Sequence, residues 1–166
     1  GERRRFLDME LCQLDKIYLK DLASYNHIVN QRNKLLKDMY VQPGLKGTLD
    51  IWDMQMVEYG RRIIEKRKRF VEELNEIIQN IHFNLTGGTE NLRVIYEPSC
   101  PGQELEKTVS ENRERDMRMK ITSAGPHRDD LCMAVNGIDI RRYGSQGQQR
   151  TAALSLKLSE IYIVKR

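Results

Sequence analysis

Between Val41 and Asp50 the chain reads VQPGLKGTLD. Pro43-Gly44 and Gly47 cannot comfortably continue a helix, and Thr48 or Asp50 can cap a new one. On the N-terminal side, Leu11, Leu14, Tyr18, Leu22, Tyr25, Val29, Leu36 and Met39 follow helical spacing, interrupted only by Arg32. On the other side, Leu49, Trp52, Met56, Tyr59, Ile63, Phe70, Leu74, Ile77 and Ile81 do the same, with a charged gap around Lys66 and Arg67. Two apolar stripes joined by a helix-breaking turn are buried most simply as an antiparallel helical hairpin, each helix roughly 25–35 residues long.

Beyond the hairpin the pattern changes. NLTGGTEN reads as a loop, and LRVIYEP (residues 92–98) as a strand ended by proline. Residues 103–115 are charged and helical in character. MRMKITS (residues 117–123) alternates with period two and predicts a half-buried strand. In DLCMAVNGIDIRRY, Asn136-Gly137 stands between two alternating runs, the pattern of a type I′ hairpin turn. From Gln148 onward, Ala152, Leu154, Leu158, Ile161 and Tyr162 restore helical spacing. The expectation is an α+β chain: residues 7–85 a long helical hairpin or arm, and residues 86–166 a small antiparallel sheet with a final helix, forming one compact unit with the arm.

The chain has 166 residues, of which 31% are charged, and a formal net charge of +4. That balance suits a polyanionic partner without requiring one. Cys12, Cys100 and Cys132 are far apart, with no CxxC pair and no histidine spaced to complete a zinc site, and read as reduced thiols. No apolar run approaches the ~20 residues of a membrane span, so a cytoplasmic protein with no membrane partner is expected. Gly1 and the GERRRF opening do not read as a natural start.

Three stretches can carry function. Ser145-Gln146-Gly147-Gln148 opens the last helix, where unpaired N–H groups and the macrodipole favour an anion, a serine adds a donor and a glycine permits close approach. The same residues also fit a plain N-cap. SAGPHRDDL (residues 123–131) places His127, Arg128, Asp129 and Asp130 in a row. Arg128 can reach phosphate or take part in a charge relay with the aspartates pairing to it, or the segment is a solvated turn. RRIIEKRKRF carries Arg61, Arg62, Lys66, Arg67, Lys68 and Arg69 against Glu65. Arg62, Lys66 and Arg69 share a helical face that can track duplex DNA phosphates, with Arg61 on another face and Arg3-Arg4-Arg5 a second candidate. A solvated basic helix is the plainer alternative. Aromatics are not interleaved, so backbone contact is favoured over base stacking.

GPHRDDL, the Asn-Gly hairpin and YGSQGQQRTAALSLKLSE, in that order, closely resemble the C-terminal half of the RecF family, bacterial recombination-mediator ATPases similar to the ABC ATPase heads of SMC proteins. RRRFLD, LCQLDKIYLKDLASYNHIVNQRNKLLK and IWDMQMVEYG resemble the helical region of the same family, so the likeness runs along the whole chain. It implies an ABC/SMC-type second lobe in which SQGQ is the signature motif. In that role Ser145 contacts the γ-phosphate of ATP held by another subunit, and Gln146, Gly147 and Gln148 complete the cap. Gln149 and Arg150 adjoin the motif, and Arg150 is a phosphate-contact candidate although a cation there opposes the helix dipole.

The sequence contains no GxxxxGK[ST] loop. The family carries that loop upstream and its Mg²⁺-binding strand downstream, so the resemblance implies a central portion with no catalytic or metal-ligating residue of its own. It further implies ATP and Mg²⁺ in the full-length dimer and none bound by this chain alone. The family's partners are DNA (duplex and gap junctions), a second copy through ATP, and RecR and RecO. Its expected activities are a weak DNA-dependent ATPase and promotion of recombinase loading at single-strand gaps. The residues by themselves leave a second reading open: a non-enzymatic helical-hairpin interaction module with a basic nucleic-acid-binding face.

Overall fold

The computed structural model describes residues 1–165. Its elements are α1 (Glu2–Leu14), α2 (Lys16–Val41), α3 (Leu49–Leu85), β1 (Leu92–Glu97), α4 (Leu105–Glu111), α5 (Arg113–Met119), β2 (Asp130–Val135), β3 (Ile138–Asp139), α6 (Ile140–Tyr143) and α7 (Gln146–Val164). The result is the expected α+β chain, mostly helical with one small antiparallel sheet of order β1-β2-β3. The chain divides into two compact units. One comprises Gly1–Leu14, Arg67–Glu97 and the chain from Asp130 onward; the other comprises Asp15–Lys66 and Pro98–Asp129.

In the unit containing Asp15–Lys66, α2 and the first part of α3 form the hairpin. Its direction can be read from ion pairs whose partners run oppositely along the two helices: Asp15 with Lys66, Asp21 with Arg62 and Arg32 with Asp53. Tyr18, Tyr25, Ile28, Val29, Leu36, Met56, Ile63 and Ile64 fill the seam. Toward the connecting turn, Leu35, Leu36, Met39 and Leu49 form a cluster against Leu45, Trp52 and Met117. The turn itself, PGLKGT, is a short 3₁₀ segment with Pro43 at its start.

The first stripe is not one helix. It breaks at Asp15, which caps α2 by accepting from the backbone N–H groups of Ile17 (2.9 Å) and Tyr18 (3.1 Å). Leu14, just before the break, is 46% exposed. Lys66 Nζ also donates to Asp15 Oδ2 at 2.7 Å. The Lys66 bond, followed by the Tyr18 N–H, holds the Asp15 carboxyl below its ordinary range. A depressed carboxyl stabilises the fold above its unfolded pKa of about 3.9, and that contribution is lost as pH falls through the folded value. Asp15→Ala is therefore expected to cost about 1–2 kcal/mol at neutral pH in urea unfolding. The gap to wild type should narrow as the pH falls below about 4.

The strand expected over residues 117–123 does not form. Helix α5 runs through Met119 and stops at Lys120, a left-handed C-cap with φ 58°. Met119 and Ile121 are exposed while Thr122 is buried, so the period-two alternation belongs to a helix end followed by a loop. The charged segment before it forms two short helices, α4 and α5, meeting at Asn112.

In the other unit, β1 pairs antiparallel with β2 from Leu92↔Val135 to Glu97↔Asp130. The Asn-Gly turn leads into β3 with both residues at positive φ, Asn136 at 50° and Gly137 at 82°, as a type I′ turn requires. Leu7 and Leu11 of α1, Phe70, Val71, Leu74 and Ile78 of α3, and Leu92, Val94, Leu131 and Val135 of the sheet make the core. Outside the β1–β2 ladder, the Asn75 side chain takes the place of a neighbouring strand. Its Nδ2 donates to Val94 O and its Oδ1 accepts from Val94 N–H, both at 2.8 Å.

Candidate functional site

The SQGQ segment follows directly from the hairpin. Asp139 caps α6 by accepting from Arg141 N–H at 2.9 Å. After that single turn, Gly144 leads to Ser145, the N-cap of α7. Gln148 N–H donates to Ser145 Oγ (3.1 Å) and Ser145 N–H donates to Gln148 Oε1 (3.0 Å), a complete capping box. Gln149 Nε2 donates to Ile140 O at 3.1 Å and ties the helix start to α6. Ser145, Gln148 and the adjoining Gln149 thus have structural duties, with two reservations. Ser145 Oγ accepts within the box, so its own proton remains available. The N–H groups of Gln146 and Gly147, the first two of the helix, precede any intrahelical acceptor.

Gly147 is not required by this fold. It carries no positive φ, and a Cβ built there would meet only Ser145 Oγ at 3.8 Å. Glycine within a helix costs roughly 0.5–1 kcal/mol relative to alanine. Gly147→Ala is therefore expected to leave the stability of this chain unchanged or raise it by up to about 1 kcal/mol in thermal unfolding. Gln146, Gly147 and Arg150 are exposed around this helix start.

Of the five residues of α7 that follow helical spacing, Ala152 is buried. The buried residues of the helix are Ala152, Ser155 and Ser159, whereas Leu154, Leu158, Ile161 and Tyr162 are exposed, Tyr162 at 57%. Ser155 meets His82, a fully buried residue of α3 that the sequence reading did not single out. His82 Nδ1 lies 2.7 Å from Ser155 Oγ, and Nε2 lies 2.9 Å from Glu90 Oε1. The available signal was a histidine four residues after Ile78, in register with the buried row of α3.

In the GPHRDDL loop, Arg128 is exposed, and both aspartates have bonds to other residues. Asp130 takes a bidentate bond from Arg3, with Nε at 3.0 Å and Nη2 at 2.7 Å, and Asp129 accepts from Ser99 N–H at 2.8 Å. His127 is held at both ring nitrogens, by Tyr25 Oη (2.7 Å) and Thr122 O (2.8 Å). Gly125, at φ 130°, lies so close to Tyr25 that a Cβ would stand 2.1 Å from Oη. Arg128 and Asp130 are the exposed residues of this loop.

The basic run is largely paired. Arg61 bonds Gly102 O and Glu106, both at 3.3 Å; Arg62 bonds Asp21 (3.3 Å) and Glu58 (2.8 Å); Lys66 bonds Asp15. Arg67 is buried against Asp8 at 2.8 Å. Lys68 and Arg69 are exposed and make no ion pair among the described residues. Burial pushes the Cys12 and Cys132 thiols up, so neither is poised as a thiolate. Among the described residues no group of His, Cys, Asp or Glu is arranged to hold a metal ion, and no helix is long and apolar enough to cross a membrane.

No family model matches the chain. It is 59% identical over 166 residues to the DNA replication and repair protein RecF of Agathobacter rectalis, a match covering 100% of this chain and 46% of that protein. It is 58% identical over 167 residues to the protein of the same name from Lachnospira eligens, covering 99% of this chain and 46% of the relative. Among solved structures it is similar to the recombination mediator protein RecF with ATP in the RecFOR pathway, at 34% identity and a TM-score of 0.93. The corresponding structure with ATPrS gives 34% identity and a TM-score of 0.92. Each of these matches covers 99% of this chain and 46% of the solved chain.

Proposed function

Because the chain belongs to the RecF family and spans about half the length of the curated relatives it matches, we propose that it supplies the signature segment of a dimeric DNA-repair ATPase. Ser145, Gln146, Gly147 and Gln148 cap the γ-phosphate of ATP bound by another subunit. Gly147 carries this reading: it lies at the first turn of a capped helix, where a Cβ would make only an ordinary contact with Ser145 Oγ and the fold itself would tolerate alanine. A glycine there suits the close approach of a phosphate, to which the Gln146 and Gly147 N–H groups and the Ser145 proton are offered. ATP and Mg²⁺ would supply the phosphate charge and its metal clamp, bound by parts of the full-length protein outside this chain.

In the whole protein this cap would serve ATP-dependent dimerisation on DNA and recombinase loading at gaps, with RecR and RecO as partners, in the cytoplasm. The DNA surface is proposed to run through the exposed cations Lys68 and Arg69. Arg61, Arg62 and Lys66 remain weaker candidates because their charges are met by Glu106, Asp21, Glu58 and Asp15. The same neutralisation weighs against the alternative of an interaction module built on a basic helix face. Arg128 and Arg150 are kept as exposed phosphate-contact candidates.

The test is Ser145→Arg in the full-length protein, read as ATP-dependent dimerisation beside ATP binding by the monomer. Loss of the first with retention of the second is expected. Gly147→Ala in the same assay should weaken dimerisation while leaving folding intact.

A further inference from the structure

We propose that His82 is a positioning residue for the signature segment, acting through Ser155 to fix the rotation at which α7 presents Ser145 and Gly147. The proposal rests on the trans-capping reading given above.

The fully buried residues of α7 are small. Ala152, Ser155 and Ser159 are buried, and the two serines spend their protons on their own helix. Ser155 Oγ donates to Thr151 O at 3.0 Å and Ser159 Oγ donates to Ser155 O at 2.7 Å. Leu156 and Ile163 on the same side are half-buried, while Leu154, Leu158, Ile161 and Tyr162 are exposed in this chain. The rotation of α7 is read by a polar contact as well.

The polar contact constrains it strongly. His82 is 0% exposed, and both ring nitrogens are engaged, Nδ1 at 2.7 Å from Ser155 Oγ and Nε2 at 2.9 Å from Glu90 Oε1. A buried imidazole nitrogen without a partner is costly. Glu90 is fixed in turn: its N–H donates to Thr86 Oγ1 (3.2 Å), and Thr86 Oγ1 donates to His82 O (3.0 Å). The imidazole is thus held from the α3 side and meets the Ser155 side chain of α7. A one-residue slip of α7 would turn it by about 100° and carry Ser155 away from Nδ1. Ser145 lies ten residues before Ser155 on the same helix, about 15 Å along the axis, so any rotation at Ser155 is delivered to the cap.

The experiment uses the full-length protein containing this chain, with ATP-dependent dimerisation followed by sedimentation and ATP binding to the monomer measured separately. The variants are Ser155→Ala, His82→Gln, His82→Asn and, as reference, Ser145→Arg. Asparagine places its amide near the site of Nδ1 and can keep the Ser155 bond. Glutamine reaches the site of Nε2 and keeps only Glu90. Ser155→Ala and His82→Gln should weaken dimerisation roughly tenfold, the effect of one buried hydrogen bond. His82→Asn should restore most of the loss, and monomer ATP binding should stay unchanged in all. Wild-type dimerisation in both Ser155→Ala and His82→Gln overturns the proposal, as does an asparagine variant no better than glutamine. Should His82→Gln fail to fold, Ser155→Ala alone decides. If Ser145→Arg itself dimerises like wild type, the trans-capping reading has failed and takes this inference with it. If only Ser145→Arg is defective, the positioning role alone is rejected.

Discussion

Asp116→Ala is expected to lower the stability of its unit by up to about 3–5 kcal/mol, the cost of stripping a buried charge of one of its two carboxylate partners. The charge is Arg32, which is 0% exposed. Its Nε donates to Asp53 at 2.6 Å, and its Nη1 donates to Asp116 (2.7 Å) and Thr122 Oγ1 (3.0 Å). Its Nη2 has no hydrogen-bond partner among the described residues. Asp116 Oδ1 also accepts from Ser123 N–H (3.2 Å) and Oγ (2.5 Å), and removing it strips the loop after α5 as well. Against a usual domain stability of about 5–15 kcal/mol, such a loss is large. Trp52, the sole tryptophan, belongs to this unit and reports its urea unfolding by fluorescence. Replacing Arg32, Asp53 and Asp116 together by apolar residues of similar volume should cost much less than Asp116→Ala alone. Equal losses in the two variants would mean that packing rather than the unpaired charge sets the effect.

Ser145→Arg should produce the largest functional change. As a cap substitution it costs about 1 kcal/mol, and a cation at the helix start adds about 0.3–1 kcal/mol against the macrodipole. Neither is enough to unfold an ordinary domain. The long side chain, however, fills the space at the Gln146 and Gly147 N–H groups where a phosphate would have to come. Dimerisation at saturating ATP should disappear while the monomer still binds nucleotide. Ser145→Ala separates the two effects, because it loses the cap and the donor without adding bulk. A Ser145→Arg protein that dimerises normally would return the segment to a plain helix cap.

Local chemistry was legible in the sequence. The Asn136-Gly137 turn, the strand over 92–97, the breaker at Pro43-Gly44 and the cap at Ser145 all form as their residues dictate. The break at Asp15 was hidden because Leu11, Leu14 and Tyr18 stay in helical phase across it, although the aspartate is itself a capping residue. Residues 117–123 misled because seven alternating residues cannot distinguish a strand from a helix end with a loop. Arg32 and Arg67 read as interruptions of apolar stripes, yet both are buried. Periodicity ranks a residue by its own polarity and is blind to a carboxylate 84 positions away, as Asp116 is from Arg32. Periodicity is equally blind to the contact of Ser155 with the buried His82, 73 positions away.

The amide of Asn75 against Val94 has a colloidal consequence. An uncovered strand edge is an invitation to another copy, and strand-to-strand recruitment is how many β-containing proteins begin to aggregate. Here one side chain from a helix answers the exposed donor and acceptor at the middle of β1, so a recruiting strand would have to evict it first. Asn75→Ala would keep the ladder to β2 and turn the edge into a template. The first sign would be turbidity and dye-positive fibrils at high concentration, well before any loss of native signal.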